Sequence, residues 1–147
     1  MAKIIAIANQ KGGVGKTTTA VNLSACVAER GKRVLLIDID PQGNATSGLG
    51  VVAEENKSIY NVLIEDIDIE TTICHTMIKK LDVCPANINL AGAEIELVSM
   101  VSRETRLKNA LEEVKEKYDY IFIDCPPSLG LITLNSFTAA DSVLVPI

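Results

Sequence analysis

Residues Lys11-Gly12-Gly13-Val14-Gly15-Lys16-Thr17-Thr18 put two ammonium groups, three glycines and two hydroxyls into one short run. That combination suits a phosphate. Glycines let backbone N–H groups turn inward around phosphate oxygens, and the N-terminus of a following helix adds positive potential. A lysine at Lys16 can reach the β and γ phosphates, and a hydroxyl at Thr17 can ligate Mg²⁺. Against the pattern G-x-x-x-x-G-K-S/T, Gly15-Lys16-Thr17 fits, but Gln10 stands where the opening glycine belongs. A second lysine, Lys11, precedes two consecutive glycines instead, which is the deviant Walker A form.

Two further places can supply carboxylates to the same ligand. Asp38-Ile39-Asp40-Pro41 carries two acids two residues apart, and Ile123-Asp124-Cys125-Pro126-Pro127 carries one at the end of an apolar run. If Asp38 and Asp40 both extend from a sheet edge, one can stand near the waters of a metal and the other can position an attacking water. Asp124 has the Walker B arrangement, which holds Mg²⁺ through its water shell. The small residues Ser128 to Gly130 suit a segment that responds to a γ phosphate.

These groups meet only if the intervening chain brings three strand ends together. Five apolar runs read as strands: Ile4 to Ala8, Val34 to Ile37, Leu81 to Cys84, Tyr120 to Ile123 and Val143 to Ile147. Most are continuous rather than alternating, as in strands of a parallel sheet covered on both faces. Thr17 to about Arg30 has helical spacing at Ala20, Leu23, Val27 and Ala28, with Gly31 as a stop. Arg103 to Lys117 repeats the pattern with Leu107, Ala110, Leu111 and Val114, and Glu113 and Lys117 are spaced as an i,i+4 pair. Short helices are possible near Ser58 to Leu63 and Ile67 to Ile73, where no chemistry is assigned. Strands alternating with helices imply an α/β fold, a doubly wound, mostly parallel sheet with helices on both faces. In such sheets ligands bind at the carboxyl ends of the strands, where all three motifs lie.

Composition agrees with one globular unit. The 147 residues are 48% hydrophobic and 22% charged, with 9 Gly and 5 Pro, which is too apolar for disorder and too poor in Gly and Pro for a fibre. A net charge of −5 argues against a broad basic face, and 3% aromatics with no Trp leave little for stacking on single-stranded nucleic acid. Cys26, Cys74, Cys84 and Cys125 form no C-x-x-C pair, and His75 is the only histidine. The cysteines therefore read as small buried apolar residues in a reducing compartment. No apolar span of 18 residues exists and the first apolar run is too short for a signal peptide, so a cytoplasmic protein is expected.

Over essentially its whole length the chain resembles the ParA/Soj branch of the deviant Walker A partitioning ATPases, in the MinD/ParA superfamily. The resemblance rests on Asn9-Gln10, the glycine loop, the segment Asp40 to Gly50, Leu90-Ala91-Gly92-Ala93-Glu94, and Asp124 to Gly130. It implies a P-loop NTPase fold and a Mg²⁺-dependent ATPase. Lys11 would reach across a nucleotide-sandwich dimer to the partner's phosphates, while Lys16 and Asp40 complete the catalytic set and Asp40 orients water. Lys11, Gly12, Gly13, Val14, Gly15, Lys16, Thr17 and Thr18 would hold ATP, with Thr17, Asp38 and Asp124 toward Mg²⁺. The family's ATP-dependent homodimer binds nonspecific DNA, and a ParB-like centromere-binding partner stimulates hydrolysis. A nucleoid-associated cytoplasmic location and no membrane partner follow. Family members continue past Ile147, so residues 1–147 are expected to be the N-terminal portion of the ATPase domain, with the edge and apolar face of the last strand left uncovered. A MinD-like membrane-associated division regulator, an ATP-dependent biosynthetic synthetase and an iron-sulfur carrier share the loop and stand as alternatives.

Overall fold

A computed structural model describes residues 1–9 and 15–146; Gln10, Lys11, Gly12, Gly13, Val14 and Ile147 lie outside the described residues. The strands are β1 (Lys3–Ile7), β2 (Val34–Asp38), β3 (Cys74–His75), β4 (Leu81–Cys84), β5 (Tyr120–Asp124) and β6 (Ser142–Leu144). They form one sheet in the order β3-β4-β2-β5-β1-β6. All neighbours are parallel except the short edge pair β3 and β4. The five strands expected from the apolar runs are present, the last only over Ser142–Leu144 with Ile147 outside the described residues, and β3 is an addition that no periodicity could reveal in two residues.

Helices α1 (Lys16–Glu29), α2 (Asn44–Gly48), α3 (Ile59–Glu65), α4 (Ala93–Val98), α5 (Arg106–Leu111) and α6 (Leu131–Ala139) cover the sheet on both sides. Short 3₁₀ turns lie at Ile69–Thr71 and Ile88–Gly92. The continuous apolar character of β2 now has its cause. Val34 and Leu36 pack with Ala20 and Ala28 of α1 and Ala45 of α2. Leu35 and Ile37 pack on the opposite face with Leu63 of α3, Leu97 of α4 and Leu107 of α5. A strand buried on both faces has no polar side to alternate with.

Three expectations are corrected. The helix read over Arg103 to Lys117 is regular only across Arg106–Leu111, with turns at 101–105 and 112–117. The Leu107 amide bonds to the Asn135 side chain of α6 at 3.1 Å, and the Arg103 and Arg106 guanidiniums hold carbonyls of Val98, Val101 and Leu63. Those bonds, two of them to groups distant in sequence, shape the segment's start. Lys117 pairs with Glu70, not Glu113, and Lys115 takes Glu112. Of the four cysteines, all free, only Cys84 and Cys125 are buried; Cys74 is partly covered and Cys26 faces solvent from α1.

The strand order creates the crevice that the motifs need. β5 inserts between β1 and β2, so Ile7 sits in register with Asp124, and Asp124 with Asp38. The chain leaves β1 for α1 on one face and leaves β5 for α6 on the other. Helices departing on opposite faces open a gap above the carboxyl ends, the switch point where doubly wound sheets bind ligands. At the far edge, Val143 and Leu144 of β6 and the following Val145 are 47%, 38% and 59% exposed.

Candidate nucleotide site

Helix α1 is preceded by Gly15, whose φ of 68° is a left-handed conformation that side-chain-bearing residues enter at a cost of about 1–2 kcal/mol. Among the described residues, no side chain caps this helix start and no acid occupies its first turn. The first intrahelical bond runs from the Thr19 amide to the Gly15 carbonyl. The amides before it have no partner within the helix and, with the helix dipole, favour an anion here.

Lys16 turns back under this start and is only 5% exposed. Its ammonium is hydrogen-bonded to Asp124 Oδ1 and lies 3.8 Å from Asp40 Oδ2. The Thr17 hydroxyl donates to Asp124 Oδ2 at 3.2 Å. A lysine and a threonine at the start of α1 thus meet an acid 108 and 107 residues away. They border a cavity of about 150 Å³ lined by Gly15, Lys16, Thr17, Thr18, Asp40, Asn44 and Pro127.

Asp38 lies one layer deeper, fully buried and outside that lining. Its Oδ2 accepts from the Thr46 amide at 2.9 Å and the Thr46 hydroxyl at 2.7 Å, and its Oδ1 accepts from the Asp40 amide at 3.2 Å. The Thr46 hydroxyl also accepts from the Ala86 amide at 3.1 Å, linking β2, α2 and the end of β4. Asp40 is held by its own turn, accepting from the Gln42 amide at 3.0 Å.

Burial pushes the Asp38 carboxyl up to about 6; the Thr46 bonds oppose this, and the charge of Asp124 adds to it. Asp124 is also raised, chiefly by burial, with Lys16 and Thr17 pulling the other way. Two buried carboxylates, Asp40 and Asp124, therefore face one described ammonium, with the buried Asp38 behind them. That excess of negative charge in a desolvated crevice favours a cation.

Among the described residues, no group of three or more His, Cys, Asp or Glu side chains could hold a metal by itself. Magnesium does not need such a cage, because it is usually bound through one or two carboxylates together with substrate phosphates and water. A hydroxyl and a carboxylate at Thr17 and Asp124, beside an uncapped helix start, fit that requirement. The nearer part of the sequence-derived set, Gly15, Lys16, Thr17, Thr18, Asp40 and Asp124, is brought together, with Asp38 behind it. Lys11, Gly12, Gly13 and Val14 lie outside the described residues.

Sequence reasoning assigned no role to Asn44, Pro127 or Thr46. Their signal was present in the segments Asp40 to Gly50 and Asp124 to Gly130, but their function depends on contacts across the sheet. A separate cavity of about 370 Å³, bordered by Ala8, Pro126, Leu129, Phe137 and Val143 among others, lies on the β6 side.

A glycine-loop motif at a β1–α1 junction, with acids from two neighbouring strand ends, makes this a P-loop NTPase fold. The family model described as an AAA domain matches residues 2–147. The chain belongs to that family, in its ParA/Soj branch. It is 65% identical over 148 residues to the sporulation initiation inhibitor protein Soj of Bacillus subtilis, covering 100% of this chain and 58% of that protein. It is 54% identical to the chromosome partitioning protein ParA of Myxococcus xanthus, covering 99% of this chain and 52% of the relative. The chain thus spans little more than half the length of these curated relatives. Among solved structures, cobyrinic acid a,c-diamide synthase from Mycobacterium smegmatis with bound ADP and magnesium aligns with a TM-score of 0.94 at 45% identity, over 100% of this chain and 60% of that one. Among the described residues no helix is long and apolar enough to cross a membrane.

Proposed function

We propose that the protein containing this chain is a partitioning ATPase, an ATP-binding and ATP-hydrolysing dimerisation switch of the ParA/Soj kind. The observation that carries the reading is the meeting of Lys16, Thr17, Asp40 and Asp124 at the uncapped start of α1. The relatives named Soj and ParA support the biological setting.

In this reading the amides that open α1 and the Lys16 ammonium bind the phosphates. Lys16 already has anionic partners, so taking up phosphate exchanges one anion for another and frees the oxygens of Asp124. Thr17 and Asp124 would hold magnesium, with Asp38 adding negative charge from behind. Bound Mg²⁺ supplies charge neutralisation on the β and γ phosphates. Asp40, near the cavity mouth and oriented by the Gln42 amide, positions water for attack. Lys11, with Gly12, Gly13 and Val14, completes the cradle and reaches the partner protomer's phosphates. The ATP-bound homodimer binds nonspecific DNA, a ParB-like protein stimulates turnover, and the complex resides on the nucleoid in the cytoplasm. Hydrolysis removes the contacts that favour the paired state.

The test compares Lys16→Ala and Asp40→Ala with wild type in the full-length protein. The lysine variant is expected to lose ATP binding, and the aspartate variant to bind ATP and dimerise without turnover. Equal hydrolysis by all three refutes the assignment. Pelleting with DNA or liposomes in the presence of ATP separates partitioning from a MinD-like membrane role. Phosphate release without an added small-molecule acceptor separates it from a synthetase.

A further inference from the structure

The N-terminus of α6 is capped from a distance. Glu94, on α4, accepts from the Leu131 amide at 2.7 Å and from the Ile132 amide at 3.0 Å. These are the first two residues of α6, and Gly130 before them supplies no side-chain cap. The carboxylate does from another element what a local Ser or Asp does at most helix starts, satisfying two orphan amides with a charge-assisted bond to the positive end of the dipole.

A second observation concerns Gly130. Its φ of −91° is ordinary for any residue, so backbone freedom does not require glycine here. A Cβ at this position would instead collide with the Glu94 carboxylate. Glycine leaves the room that the carboxylate fills.

The segment pinned in this way is the short loop from Asp124 to α6. Its start, Asp124, holds Lys16 and Thr17. Its middle, Pro127, lines the cavity beside them. Its end is fastened by Glu94 and by the Thr133 hydroxyl, which donates to the Ser128 carbonyl at 2.6 Å. We propose that Glu94 is a positioning residue for hydrolysis: its carboxylate fixes the start of α6 and thereby the loop from which Pro127 lines the phosphate-side cavity. The inference deepens the ATPase reading and rests on it for its kinetic consequence.

The experiment uses the full-length protein and the variants Glu94→Ala, Glu94→Gln, Gly130→Ala and Glu94→Ala/Gly130→Ala. Displacing a wall of the site lowers kcat of Glu94→Ala on the order of ten-fold, with KM for ATP within about two-fold because Lys16 and Thr17 are untouched. Glu94→Gln, which keeps one acceptor oxygen, regains most of the rate. Gly130→Ala leaves the acid in the sequence but displaces it, so its rate resembles that of Glu94→Ala. The double variant is no slower than the slower single variant, as expected for changes that break one contact. Unchanged kcat in Glu94→Ala, a parallel loss in KM and kcat, or multiplicative effects in the double variant overturn the proposal.

Amide hydrogen exchange supplies a readout independent of turnover. Glu94→Ala is expected to lose protection at Leu131 and Ile132 while α1 keeps its own. Retained protection at those two amides also overturns the latch. A wild-type protein that hydrolyses no ATP, yet shows this exchange pattern, defeats the ATPase reading and leaves the contact itself intact.

Discussion

Replacing Lys16 by Ala tests the electrostatics of the site before any nucleotide is added. In the structure its buried ammonium faces Asp124, which is fully buried, and Asp40, which is 6% exposed. Removing one partner of a buried ion pair costs about 3–5 kcal/mol, because the remaining charge has neither water nor counter-ion. Asp124 is already raised by burial, and Lys16 is the leading influence holding it down; without the lysine it rises further. A carboxylate whose folded-state pKa lies above its unfolded value favours the protonated native state, so stability is fully present at low pH and falls as pH rises through the shifted value.

The variant should therefore be about 3 kcal/mol less stable than wild type at pH 8, or roughly 6–12 °C in Tm at about 2–4 °C per kcal/mol. The deficit should narrow toward pH 5. Adding Asp124→Asn to Lys16→Ala removes the stranded charge and should recover most of the loss. Urea denaturation of the nucleotide-free, full-length proteins at several pH values measures all three effects. A deficit independent of pH, or a double variant less stable than Lys16→Ala, refutes the view that Lys16 compensates Asp124.

Two other outcomes follow from neighbouring residues. Thr46→Val removes the hydroxyl shared by Asp38 and the Ala86 amide, leaving both short of a partner at a cost of about 1–3 kcal/mol, read by the same denaturation assay. It also takes from Asp38 a bond that favours the ionised form, so the loss should be larger at pH 8 than at pH 5. Gly12→Val places a branched side chain where the backbone is expected to approach phosphate or partner, and light scattering with ATP should show an impaired dimer; normal dimerisation would displace Gly12 from that role.

Much of the site was legible because its chemistry is written in consecutive residues. Lys11 to Thr18 announces a phosphate loop through local composition alone, and Asp38, Asp40 and Asp124 stand at the ends of apolar runs whose continuity reports burial on both faces. Helix α1 was equally clear, since its apolar spacing and the Gly31 stop are local. The second long helix was not, because the bonds of Arg106 to the Leu63 carbonyl and of the Leu107 amide to Asn135, groups distant in sequence, override its periodicity.

The order of strands, with β5 between β1 and β2, was beyond any single segment to specify. That order decides which acid meets which base. It sets Asp124 against Lys16 and Thr17, sends Asp38 behind them to Thr46, and brings Glu94 onto the start of α6. Sequence by itself determined the functional groups and the elements that carry them, because residue type and short-range periodicity are local properties. Only the tertiary structure decided burial, partners and charge balance, because those depend on chain segments that become neighbours when the sheet forms.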